Sequence, residues 1–123
     1  EQWRAVIDVN LTGVFLCSRE AARGMIAAGA GGAIVVVTSV HDRMPWAGFS
    51  HYSASKGGQK LFLESIAKEQ SPHRIRVVGL APGAIATPIN REMLDDPEAL
   101  AAVEGPIPMG RVGDPAEVAR AAA

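Results

Sequence analysis

A chain of 123 residues, 48% hydrophobic and 20% charged with 13 glycines, has the make-up of a soluble globular protein of at most one domain, long enough to bury a core. A net charge of -1 without a basic stripe excludes a nucleic-acid binder, whose affinity would rest on clustered Lys and Arg, and no apolar run reaches the roughly 18 residues of a membrane span. The one cysteine, Cys17, excludes an internal disulfide, and with no signal peptide in view it points to a reducing, cytoplasmic compartment.

Residues 1 to about 28 read as one helix. Trp3, Val6, Ile7, Leu11, Val14, Phe15, Ala21, Ala22 and Met25 recur at three- and four-residue steps. Asn10 lies on that same stripe, an odd place for an amide. "GAGG" closes the helix at Gly29 to Gly32. "AIVVVTS", Ala33 to Ser39, is a β-branched run without alternation, which suits a strand buried on both faces of a parallel sheet. After the loop "VHDRMPWAGFS" a helix covers roughly Tyr52 to Gln70 and stops at Ser71-Pro72. "IRVVGLAPG", Ile75 to Gly83, reads as a second buried strand ended by a Pro-Gly turn.

A long irregular stretch follows, in which Asp96-Pro97 opens a short helix. Asp114, Pro115 and Glu117 have the pattern of N-cap, first and third residues of a final helix. Helix and strand alternate, so the expected class is α/β with a doubly wound parallel sheet, and ligands are expected outside the carboxyl ends of the strands. Ser39 and Pro82-Gly83 stand at those ends. Two strands make a poor sheet. The chain also starts inside a helical pattern at Glu1 and stops inside another at "EVARAAA". Residues 1–123 are therefore expected to be part of a larger domain.

"HYSASKGG" places Tyr52 and Lys56 four residues apart, on one helix face. A free phenol, with a pKa near ~10, is a poor base at neutral pH, but a nearby ammonium favours the phenolate. A phenol so assisted can exchange a proton with a substrate hydroxyl or carbonyl. Gly57 and Gly58 would let another backbone or a ligand come close. Taken alone, the pair reads more readily as the edge of an amphipathic helix.

The pair is accompanied by Asn10, Ser39 and Pro82-Gly83. Together "DVNLTGVFL", "GAIVVVTS", "YSASKGG", "IRVVGLAPG" and Thr87-Pro88 resemble the short-chain dehydrogenase/reductase family along the whole chain. The resemblance implies a Rossmann-type fold and hydride transfer between NAD or NADP and an alcohol or carbonyl. It implies Tyr52 as general acid/base, Lys56 as the residue that assists it and holds the nicotinamide ribose, and Ser39 as the donor to the reacting oxygen. Asn10 would hold a water in a proton relay. Pro82, Gly83 and Ile85 would line the nicotinamide pocket and Thr87 would meet its carboxamide. Val78 departs from an Asn frequent in the family, at a position expected to be structural. The glycine-rich phosphate turn of the family would precede residue 1 and its last strand would follow residue 123, so cofactor choice is not legible here. The two long helices are implied to build a homotetramer or homodimer.

"TSVHDRMPWAGFSHYSASKGG", "PGAIATPIN" and "IPMGRVGDPAEVA" resemble, more narrowly, bacterial glucose 1-dehydrogenases, which oxidise glucose at C1 to the lactone. That resemblance places His41 and Asn90 at the sugar, beside Ser39 and Tyr52. Both can donate and accept hydrogen bonds. His41 reads equally as a loop residue packed on Trp46, and Asn90 as a helix N-cap. Ala86 stands where those enzymes often have Asn. His51 and His73 have no metal-ligand pattern around them, and no metal site is expected. Two alternatives stay open: a 3-oxoacyl or other carbonyl reductase of the same family, and a non-catalytic piece whose helices only pair with partners.

Overall fold

In a computed structural model that describes residues 1–123, the helical run at the start contains one irregular turn. Gln2–Ile7 (α1) and Gly13–Ala28 (α2) are α-helical, and Asp8–Thr12 between them is a π turn. There the Gly13 N–H donates five residues back, to Asp8 O. The single predicted helix is thus interrupted at the turn that carries Asn10. A π turn accommodates one extra residue without ending the helix, so three- and four-residue periodicity does not register it.

The chain forms two units, Glu1–Ala81 and Pro82–Ala123. In the first, Gly32–Val37 (β1) and Ile75–Leu80 (β2) pair in parallel, in register from Gly32 opposite Ile75 to Val37 opposite Leu80. Ser50–Gln70 (α3) connects them, starting two residues before the predicted helix. Ile34 and Ile75 are buried with Ala22 of α2, against Met25, Val36 and Val77. Leu63 of α3 lies over Gly79 on that same face. The expectation of strands buried on both faces is not met within this chain. The helices cover only the face of residues 34, 36, 75 and 77, while on the other face Val35 is 41% and Val37 53% exposed.

Entry into β1 is tight. A Cβ on Gly31 (φ 74°) would stand 2.7 Å from Arg74 O, a contact that only glycine permits. Gly32 N–H donates to the same carbonyl, and Arg74 Nη2 donates to Gly29 O at 2.7 Å.

The second unit holds three short helices, Arg91–Asp95 (α4), Pro97–Glu104 (α5) and Pro115–Ala122 (α6). The predicted starts of the last two are met by their caps. Asp96 accepts from Glu98 N and Ala99 N, and Asp114 and Glu117 form a reciprocal capping box. Arg111 clamps Glu117 with two hydrogen bonds, of 2.9 and 2.7 Å. With the Asp114 N–H, it holds the Glu117 carboxyl down at about 2. No helix of the chain is long and apolar enough to cross a membrane.

Candidate active site

The carboxyl end of β1 is tied to β2 by Thr38, whose N–H and hydroxyl both meet Leu80 O. The next residue, Ser39, is extended and caps the 3-10 turn Val40–Asp42 by accepting from His41 N at 3.2 Å. That bond uses the Ser39 oxygen as an acceptor and leaves its hydroxyl proton free to donate. Ser39 is buried, two residues past the strand it was expected to end.

Tyr52 and Lys56 share one face of α3, with Lys56 Nζ 5.7 Å from the centre of the Tyr52 ring. Two of the three Lys56 donors are occupied, on Val37 O at 3.1 Å and on Gln59 Oε1 at 3.2 Å. Burial holds the Lys56 ammonium below its ordinary range. The third N–H is free to meet a ligand hydroxyl, which is the donor a ribose would require.

The π turn brings Asn10 to α3. Asn10 Nδ2 donates to Ser55 Oγ at 3.0 Å, and Ser55 Oγ donates to Tyr52 O at 2.7 Å. Gln59 Nε2 donates to Asn10 O. Ser55 and Gln59 are fully or almost fully buried. Neither was singled out in the sequence, where each looks like a polar residue on the solvent side of an amphipathic helix.

Gly58 also has a different use from the one expected. A Cβ there would stand 2.9 Å from Leu11 Cδ2, so the space is taken by a π-turn side chain rather than by a ligand. At Gly57 the nearest group would be Asp42 O, at 3.7 Å, which is the backbone approach anticipated, at ordinary contact distance.

The loop between β1 and α3 stacks aromatic rings beside Tyr52. The His41 and Trp46 rings are 4.6 Å apart and nearly parallel, as are those of Trp46 and Phe49 at 4.0 Å. The rings of His41 and Trp46 meet Tyr52 edge-on at 6.2 and 6.0 Å. His41 therefore does pack on Trp46. Its Nδ1 lies 3.0 Å from Met44 O, a contact that requires Nδ1–H and leaves Nε2 to accept when the ring is neutral.

The structure thus links Asn10, Tyr52 and Lys56 through Ser55 and Gln59, and brings His41 to Ser39 by its backbone N–H and to the Tyr52 ring by its side chain. Pro82, Gly83, Ile85, Thr87 and Asn90 belong to the second unit. There Ile85 forms a parallel bridge with Gly113, and Thr87 O accepts from Asn90 N at 2.9 Å. Asn90 precedes α4 without a side-chain cap bond; its Nδ2 folds back to Ile85 O at 2.8 Å.

The chain is 49% identical over its whole length to a 3beta-hydroxysteroid dehydrogenase of Eggerthella lenta, of which it covers 47%. Over 98% of its length it is 44% identical to a glucose 1-dehydrogenase of Gluconobacter oxydans, of which it covers 46%. It superimposes with a TM-score of 0.92 and 33% identity on the crystal structure of a gluconate 5-dehydrogenase from Burkholderia cenocepacia in complex with NADP and tartrate, covering 98% of this chain and 47% of that one. The chain thus spans about half the length of these relatives. The family model of the short chain dehydrogenases matches residues 1–98, and the chain belongs to that family, with the partial Rossmann-type α/β fold expected of it.

Proposed function

We propose that this chain is the catalytic part of an NAD- or NADP-dependent oxidoreductase acting on a secondary alcohol or its carbonyl. The observation that carries the reading is the Tyr52–Lys56 pair on one face of α3, with the Asn10–Ser55 link behind it. The free N–H of Lys56 would hold the nicotinamide ribose. Pro82, Gly83 and Ile85 would line the ring's pocket and Thr87 would meet the carboxamide. When bound, the nicotinamide supplies the hydride acceptor or donor. Tyr52 takes the proton of the substrate hydroxyl, with Lys56 Nζ 5.7 Å from the centre of its ring. Ser39 donates a hydrogen bond from its free hydroxyl to the oxygen as that oxygen becomes a carbonyl. Asn10, whose main-chain oxygen accepts from Gln59, would hold the water of a proton relay.

For substrate, we place glucose, oxidised at C1, first. The "VHDRMPW" loop supports it, as does the relative named for that activity. His41 Nε2 and the Asn90 amide would provide the polar contacts. A 3β-hydroxysteroid is the second reading, favoured by the 49% identical relative. Both substrates carry the reacting hydroxyl on a saturated ring, and the Trp46–Phe49 stack beside Tyr52 offers an apolar wall for such a ring. The two long helices are proposed to pair in a homodimer or homotetramer.

The test is nicotinamide absorbance with the full-length protein, given glucose, a 3β-hydroxysteroid and a 3-oxoacyl thioester, each with both cofactors. Turnover of glucose above the others supports the first reading. Turnover of the steroid or thioester alone keeps the Tyr52 chemistry and removes the sugar.

A further inference from the structure

Gln59 joins two parts of the site. Only one orientation of its amide fits its partners, because an NH2 cannot donate to an ammonium and a carbonyl cannot bond a carbonyl. Oε1 therefore accepts from Lys56 Nζ and Nε2 donates to Asn10 O. A π turn shifts helix bonding by one residue and disturbs the ladder at main-chain carbonyls. Gln59 donates to a main-chain carbonyl of that turn, Asn10 O. At 2% exposure the amide has little water to fall back on, so both bonds matter. Facing Lys56 Nζ are the Tyr52 ring from its own helix, Val37 O from β1 and Gln59 Oε1. None of the chain's salt bridges involves Lys56.

We propose that Gln59 is a positioning residue that fixes the Lys56 ammonium between β1 and the π turn, so that its remaining N–H points to the ligand. With Val37 O it occupies two donors of Lys56 and leaves the third. The same amide locks Asn10 O to α3, so the π turn and the lysine move together. This role rests on Lys56 being the lysine that holds the cofactor. The expected consequence is that the protonation of Lys56 responds to the group at position 59 by more than a change of packing would allow.

The side-chain NMR signal of Lys56 can be identified by its loss in Lys56→Arg. Its titration is followed in the full-length protein and in two variants of nearly unchanged volume. Gln59→Met removes an acceptor from a partly buried ammonium, so Lys56 is expected to titrate lower. Gln59→Glu sets a carboxylate against it, so Lys56 is expected to titrate higher. Opposite shifts support the proposal, since loosened packing would not reverse sign with the charge at position 59. No shift, shifts of one sign, or a wild-type Lys56 that titrates as an ordinary lysine overturns it. Turnover of Tyr52→Phe in the full-length enzyme separates the two levels: activity retained there removes the catalytic reading, whereas unmoved Lys56 titration with a Tyr52-dependent enzyme removes only the role of Gln59.

Discussion

Gly57 and Gly58 are adjacent in the middle of α3, yet they should respond oppositely to alanine. In a helix interior glycine costs about 1 kcal/mol relative to alanine. At Gly57 the added Cβ meets nothing nearer than Asp42 O at 3.7 Å. Gly57→Ala should therefore recover most of that cost and stabilise the chain by about 0.5–1 kcal/mol. At Gly58 the same Cβ stands 2.9 Å from Leu11 Cδ2 and 3.3 Å from Cδ1. The π turn that carries Leu11 is held by Asn10 bonding to Ser55 and Gln59, so the side chain of Leu11 must give way. Overpacking of this kind costs about 1–3 kcal/mol, which cancels or exceeds the propensity gain. Gly58→Ala should then be neutral to about 2 kcal/mol destabilising. Urea unfolding of both variants measures the difference, and repeating Gly58→Ala in a Leu11→Ala background isolates the contact. With Leu11 truncated, Gly58→Ala should stabilise much as Gly57→Ala does. Equal stabilisation by the two alanines in the presence of Leu11 would refute the close packing of α3 on the π turn.

Two further perturbations probe other parts of the fold. Gly31→Ala combines a positive φ with a Cβ placed 2.7 Å from Arg74 O, and should cost about 1–3 kcal/mol in denaturant unfolding; an unchanged midpoint contradicts the tight entry into β1. Glu117 has a carboxyl held down at about 2 by Arg111 and the Asp114 N–H, against an ordinary value of 4.5. Its folded value is depressed, so its contribution is fully present above pH 4.5 and is lost as pH falls through 2. Melting temperature should therefore fall less steeply across that window in Glu117→Gln than in the wild type, and equal slopes contradict the Arg111–Glu117 clamp.

Features written in neighbouring residues were legible in the sequence. Asp96-Pro97 and Asp114-Pro115 with Glu117 announced two helix starts because a cap is a local device. The β-branched runs announced β1 and β2, but not which face stays open, since that depends on where α2 and α3 lie. Tyr52 and Lys56 were legible by their four-residue spacing, and Asn10 by its polarity on an apolar stripe. The π turn was not, because inserting one residue preserves the apolar stripe. Gln59 was not either: its main-chain partner, Asn10 O, is 49 residues away, and nothing in "KGGQK" marks a residue that reaches across to another helix.

The Tyr52→Phe substitution tests the proposed chemistry most directly. It removes only the phenolic oxygen and leaves the ring among His41, Trp46 and Lys56. The measurement is hydride transfer by the full-length protein carrying this change, with cofactor binding followed in parallel. Loss of turnover by about 100-fold or more, with cofactor affinity nearly intact, is the result expected of a lost proton donor and acceptor. Turnover retained at the wild-type rate would contradict Tyr52 as the acid/base.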